Sequence, residues 1–161
     1  MIHPALPADA EAIAAIYNHY ILNSISTFEE QIISAQTMAR RMAEVNAAAL
    51  PWLVEEDAGR ITGYAYASRW KTRSGYRFSV ESSIYLYPSM VGGGLGTRLY
   101  QALLADVRQL GVHAVMGGVA LPNEASVRLH EKLGFLKVAH FKEVGYKFGG
   151  WIDVGYWQLI F

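Results

Sequence analysis

Gly92-Gly93-Gly94-Leu95-Gly96 places four glycines within five residues. Phe78 to Tyr87, just before it, reads as a strand that stops at Pro88. After it, Leu95, Leu99, Leu103 and Val107 recur every four residues and predict a helix to about Leu110, ended by Gly111. A strand, a glycine loop and a helix start make a place where an anion can bind. Glycine lets backbone N–H groups approach a ligand, and the first helical turn adds unpaired donors and the positive end of the helix dipole. A pyrophosphate suits such a site. The register rules out two common phosphate loops. Thr97-Arg98 follows the last glycine where a P-loop needs Lys-Ser/Thr. A dinucleotide fingerprint begun at Gly92 or Gly94 would need a small residue at Thr97 or Leu99. The loop alone therefore implies phosphate binding of unspecified type, and a tight turn without a ligand remains an equal reading.

Working outward, His113 to Val119 is a strand. Leu121-Pro122-Asn123-Glu124-Ala125-Ser126-Val127-Arg128-Leu129-His130-Glu131-Lys132-Leu133-Gly134-Phe135 is then a helix, capped at Asn123 and closed by Gly134. Ser126, Leu129, His130 and Leu133 share one face, so His130 lies among apolar neighbours rather than among Glu124, Arg128, Glu131 and Lys132. Two further strands, about 135–146 and 152–160, join through Gly149-Gly150. Upstream come a short strand at about 1–4, an amphipathic helix bearing Ile13, Ile16, Tyr17, Tyr20 and Ile21, and an alanine-rich helix at about 34–48. Strands at Trp52–Glu56 and Ile61–Ser68 flank the turn Asp57-Ala58-Gly59. The order predicts one α/β (α+β) domain spanning 1–161, a mixed sheet with helices on both faces.

Composition narrows the function. Hydrophobic residues make up 52% of the 161 and charged residues 17%, an ordinary globular balance. Lys+Arg and Asp+Glu are both 14, which argues against a broad nucleic-acid surface. With no cysteine, neither a thiolate nucleophile nor a zinc-thiolate site is possible, and His3, His19, His113 and His140 lack metal-ligand spacing, so no metal is expected. The N-terminus lacks a signal-peptide pattern and no apolar run reaches the roughly 18 residues of a membrane span, so a cytoplasmic protein without membrane attachment is expected.

The glycine run before a helix, followed by Asn123-x-x-Ser126-x-x-x-His130-x-x-x-Gly134-Phe135, resembles the GNAT acetyltransferase superfamily. Asn18-His19-Tyr20-Ile21, Trp52-Leu53-Val54, Trp70-Lys71-Thr72-Arg73, Glu81-Ser82-Ser83-Ile84-Tyr85 and the tail from Gly145 to Leu159 are similar to the phosphinothricin and methionine sulfoximine acetyltransferases, in the same order along the chain. One position departs. Val91 stands where the superfamily usually has Arg or Gln, leaving only its backbone for phosphate, and Gly93 replaces a common basic or polar residue.

The resemblance implies a mostly antiparallel sheet of about seven strands, two of them parallel and splayed around acetyl-CoA. It places the pantetheine along Ile84, Tyr85 and Leu86, the pyrophosphate on Gly92, Gly93, Gly94, Leu95, Gly96 and Thr97, and Asn123 beside the pantetheine. It implies Glu81 as the base for the acceptor amine and His130 as the acid for the departing thiolate. Phe28, Lys71, Thr72, Arg73, Tyr76, Ser82 and Ser83 would surround a small amino-acid-like substrate, with Lys71 and Arg73 holding its carboxylate or phosphinate. A homodimer is implied too. Tyr146, Lys147, Trp151 and Trp157 can serve the site or the dimer, with core packing the expected role of the tryptophans. Two other readings stay open: a GNAT enzyme for another amine, which would have no use for the Lys71/Arg73 loop, and a non-catalytic CoA-binding module, which Glu81 and His130 argue against.

Overall fold

The computed structural model describes residues 1–161. Seven strands form one sheet in the order β1-β2-β3-β4-β5-β7-β6. They are β1 (Ile2–Pro4), β2 (Trp52–Asp57), β3 (Arg60–Arg69), β4 (Ser79–Leu86), β5 (Ala114–Leu121), β6 (Leu136–Lys147) and β7 (Gly150–Ile160). Every neighbouring pair is antiparallel except β4 and β5, which are parallel. The helices are α1 (Ala10–Asn23), α2 (Ala35–Ala47), α3 (Leu95–Gln109) and α4 (Glu124–Lys132). No helix is long and apolar enough to cross a membrane.

Two apolar clusters form, one on each face of the sheet. Helix α3 buries Leu99, Leu103 and Val107, its four-residue stripe, against Ala65, Val80, Val115 and Val119. Helices α1 and α2 bury Ile13, Ile16, Ile21, Met38 and Met42 against Trp52, Val54 and Tyr64. Beneath them Trp52 stacks on Tyr66 with ring centroids 4.1 Å apart, and Tyr64 stacks on Tyr85 at 5.4 Å. Local chemistry sets the helix starts. Ser34 accepts from the Thr37 N–H at 3.1 Å, and Asn123 Oδ1 accepts from the Ser126 N–H at 3.1 Å.

Several boundaries differ from expectation. A 3₁₀ turn over Pro7–Asp9 precedes α1, because Asp9 turns its carboxylate back onto the Leu6 N–H at 2.7 Å. Strand β5 runs to Leu121 and β7 starts at Gly150, since the two pair without a break from Ala114↔Ile160 to Leu121↔Asp153. The tryptophans divide. Trp157 is core and donates to Glu131 at 3.2 Å, whereas Trp151 is 66% exposed on the outer hairpin, contrary to the expected core role.

Candidate active site

The parallel pairing of β4 and β5 covers three positions, Ser79↔Ala114, Val80↔Val115 and Glu81↔Met116, and then ends. Each strand stays with its other partner. Strand β4 follows β3 as far as Leu86↔Gly63, and β5 follows β7 as far as Leu121↔Asp153. Because sheets twist, strands held to diverging partners separate. The fork opens a cleft of about 710 Å³. Ile84, Tyr85 and Leu86 line one wall, Val119, Ala120 and Asn123 the other, and Gly92, Gly94, Gly96 and Thr97 the far end. Among them are eight of the ten expected cofactor positions, all but Gly93 and Leu95. Gly93 is exposed at the loop, and the Leu95 side chain is buried in the core, leaving its backbone as the available contact.

The loop at the far end is built from backbone. Gly92 and Gly94 have φ of 96° and 79°, left-handed values that favour glycine, and Gly94 is the N-cap of α3. The first N–H groups of α3 have no intrahelical acceptor and carry the positive end of its dipole. Val91 is exposed. Arg98, one turn into α3, is a largely exposed cation 3.9 Å from Glu55. This donor set fits a pyrophosphate.

Glu81 is at the apex of the fork, the last β4 residue paired with β5. Its Oε1 accepts from the Tyr156 hydroxyl at 3.4 Å. Burial pushes its carboxyl above the usual range, opposed by the Tyr156 bond and the Lys71 charge. A methyl group on Gly118 would come within 3.3 Å of Glu81 Oε1 and 3.2 Å of the Tyr156 ring, so glycine makes room there. Ser83 shares the Glu81 face, next to Tyr66 on β3. Trp70 packs edge-on against Tyr156 with centroids 5.5 Å apart, and Lys71 Nζ lies 5.0 Å above the Trp70 ring. The root of the expected anion loop therefore touches the partner of Glu81. Thr72, Arg73 and Tyr76 extend from it and are exposed. The Phe28 ring is seated against Gly145 of β6.

Ser82 faces the opposite side of β4 from Glu81, and it borders the cleft. Strand alternation turns its side chain into the core. Its hydroxyl lies 2.6 Å from the Tyr100 hydroxyl, to which it donates, and 3.1 Å from the Met116 carbonyl. Tyr100 is 3.1 Å from His130 Nε2, and His130 Nδ1 is 2.7 Å from the Ser126 carbonyl. That carbonyl can only accept, so Nδ1 carries the hydrogen and Nε2 accepts from Tyr100. Burial lowers the His130 pKa, opposed by the Ser126 carbonyl. Burial thus favours the neutral ring, and both of its nitrogens face inward partners. The ring borders the cleft but offers it no free N–H. A direct proton donor would need imidazolium, which burial disfavours, so the geometry favours a bracing role. The chain Met116–Ser82–Tyr100–His130 ties β5, β4, α3 and α4 together at the point where the strands part.

Gly117, Gly118, Tyr100 and Tyr156 carry roles that the sequence analysis did not assign. A side chain on Gly117 would overlap the His130 ring. Two adjacent glycines inside a strand are a signal of close approach that can be read without coordinates.

Residues 2–155 match the family model described as an acetyltransferase (GNAT) domain. The chain is 38% identical over 155 residues to the L-amino acid N-acyltransferase MnaT of Escherichia coli, covering 96% of this chain and 90% of that one. It is 40% identical over 160 residues to the phosphinothricin N-acetyltransferase of Streptomyces viridochromogenes, covering 99% and 87% respectively. The solved structure of the acetyltransferase yncA from Salmonella typhimurium, with its cofactor acetyl-CoA, superposes with a TM-score of 0.96 at 36% identity, covering 99% of this chain and 92% of that one. On its sequence, its forked sheet and these relatives, the chain belongs to the GNAT acetyltransferase family.

Proposed function

We propose that this protein transfers an acetyl group from acetyl-CoA to the amino group of a small amino-acid-like substrate of the phosphinothricin, methionine sulfoximine or methionine sulfone type. One observation carries this reading. The half-buried Glu81 carboxyl stands at the apex of the fork, next to the cleft-lining Ser82, Ser83 and Gly118, and the cleft's other end is a backbone-built anion site. Five residues of strand, about 17 Å, separate Glu81 from Leu86. The cofactor's pantetheine arm would lie along this open β4 edge, with its pyrophosphate on the N-terminus of α3 and its thioester near Glu81.

Glu81 accepts a proton from the ammonium form of the substrate, which is prevalent at neutral pH for an α-amine of pKa about 7.7–8.0. The freed nitrogen lone pair attacks the thioester carbonyl carbon. The C–S bond breaks as the amide forms, and the nitrogen's surplus proton passes to the departing sulfur, which leaves as the thiol of CoA. Backbone N–H groups on the unpaired β4 edge stabilise the intermediate oxyanion. The Ser82–Tyr100–His130 brace fixes the opening in which amine and thioester meet, and this positioning supplies much of the rate. Lys71 and Arg73 hold the substrate's carboxylate, with Arg73 suited to a bidentate grip.

We further propose a homodimer. Strand β6 is a sheet edge, and Leu136, Val138, Phe141, Val144 and Tyr146 on it are all more than half exposed. Sedimentation at micromolar concentration tests this; a monomer alone would contradict it. A cytoplasmic location is part of the same proposal, since acetyl-CoA and amino acids are both available there.

The enzymatic reading is tested by thiol release from acetyl-CoA with L-methionine sulfone, L-methionine sulfoximine, L-phosphinothricin and spermidine. The amino acids should be turned over and spermidine poorly or not at all. A preference for spermidine would assign the site to a different amine class, and no release with any amine would leave a CoA-binding module.

A further inference from the structure

Lys147 has 3% of its surface exposed and forms no ion pair. Its ammonium donates instead to three backbone carbonyls, those of Ser24 at 2.7 Å, Thr27 at 2.8 Å and Tyr20 at 3.4 Å. An ammonium has three donors, so all are used. Tyr20 and Ser24 are at the C-terminal end of α1, where the negative end of the dipole favours a cation. Thr27 lies farther along the loop between α1 and α2. One side chain from the outermost strand thus ties down a loop 120 or more residues away in sequence.

That loop bridges the fork. Ser24, Ile25 and Ser26 line the cleft. The Ser26 carbonyl accepts from Tyr85 on one wall at 3.3 Å, and Ser26 Oγ accepts from Asn123 on the other at 3.4 Å. Both bonds are long and neither would hold the loop strongly by itself. Two residues before Lys147, Gly145 gives Phe28 its seat, since any side chain there would overlap the Phe28 ring.

We propose that Lys147 and Gly145 are positioning residues for the acceptor side of the cleft: Lys147 fixes the course of residues 24–27, and Gly145 fixes the Phe28 ring that follows. Neither residue is hydrogen-bonded to the glycine loop, and the segment they hold meets the walls that serve acetyl-CoA only through the two long Ser26 bonds, to Tyr85 and Asn123. The role of both residues is thus in the choice and affinity of the amine, an inference that rests on the amino-acid acetyltransferase reading above. It also links the β6–β7 hairpin to acceptor binding.

The test uses the full-length Lys147→Met and Gly145→Ala variants. Both should raise KM for L-methionine sulfone by roughly tenfold or more, with KM for acetyl-CoA unchanged. Amide hydrogen exchange should quicken in Lys147→Met over residues 24–28, while α3 and β5 keep their protection. The proposal is overturned if amino-acid KM stays at the wild-type value in the folded variants, if both KM values rise together, or if exchange in the loop does not change. Should Lys147→Met fail to fold, Gly145→Ala decides, because it leaves all three lysine hydrogen bonds in place. Should wild-type enzyme turn over no amino acid, the functional reading falls, and loop exchange alone decides the positioning claim.

Discussion

Glu81 and Ser82 are consecutive residues of β4 that face opposite sides of the sheet. On one side the Glu81 carboxylate is partly exposed and held by one long hydrogen bond of 3.4 Å. On the other the Ser82 hydroxyl is 6% exposed and locked at 2.6 Å and 3.1 Å into a chain that ends at His130. The first face has a group with freedom to exchange a proton, and the second has groups already committed. Alternation along a strand allows this division within two residues. A fork needs a rigid side so that the reactive side keeps its geometry. Residues on the Glu81 face should therefore control rate and affinity, and those on the Ser82 face should first control stability.

The largest effect expected is on turnover. Glu81→Gln keeps the shape and removes the base, so kcat should fall by about 10²–10⁴-fold, with acetyl-CoA affinity intact because backbone supplies that binding. Steady-state kinetics at neutral pH measure it. Arg73→Ala comes next. Loss of a charged hydrogen bond to the substrate should raise amino-acid KM by about 10–100-fold and leave acetyl-CoA KM alone; an unchanged amino-acid KM would remove the anion grip from the account.

Tyr100→Phe attacks the other face. It leaves His130 Nε2 and Ser82 without their bridging hydroxyl and should cost about 1–3 kcal/mol of stability, read as a fall of several degrees in thermal midpoint. If kcat dropped steeply with no loss of stability, the brace would have to be reassigned to the chemistry. Tyr156→Phe should do less. The Tyr156 hydrogen bond favours ionised Glu81, so losing it raises the Glu81 pKa and moves the acid limb of the rate profile to higher pH, with the plateau little altered. Val91→Arg is the smallest change, a partly exposed cation at the phosphate loop, and should lower acetyl-CoA KM by no more than about fivefold.

The same two faces show what the sequence made legible. Period-two alternation puts Glu81 with Ser83 and opposite Val80 and Ile84, and the structure has them so. Helical period puts His130 on the buried face of α4, and it is 4% exposed. Its partners could not be read, because Tyr100 reaches it from another helix and Ser82 from a strand, contacts that only tertiary packing decides. Serine at 82 also looks the same whether it meets substrate or a buried tyrosine. The forked sheet was legible through the family signature, whereas the end of β5 at Leu121 depended on pairing with a strand 30 and more residues away. Trp151 misled for a similar reason: a tryptophan reads as core until the strand bearing it proves to belong to an outer hairpin.

The most direct test of the account compares pH–rate profiles of kcat/KM for L-methionine sulfone between wild-type enzyme and Glu81→Gln. With Glu81 as base, the wild-type enzyme accepts the ammonium form of the substrate. Its profile should then be flat through neutral pH and fall on the acid side at a carboxyl pKa above the ordinary range, as burial of Glu81 dictates. The variant must wait for free amine, so its rate should climb about tenfold per pH unit up to the amine pKa. Profiles of the same shape in both proteins would contradict the claim that Glu81 takes the proton.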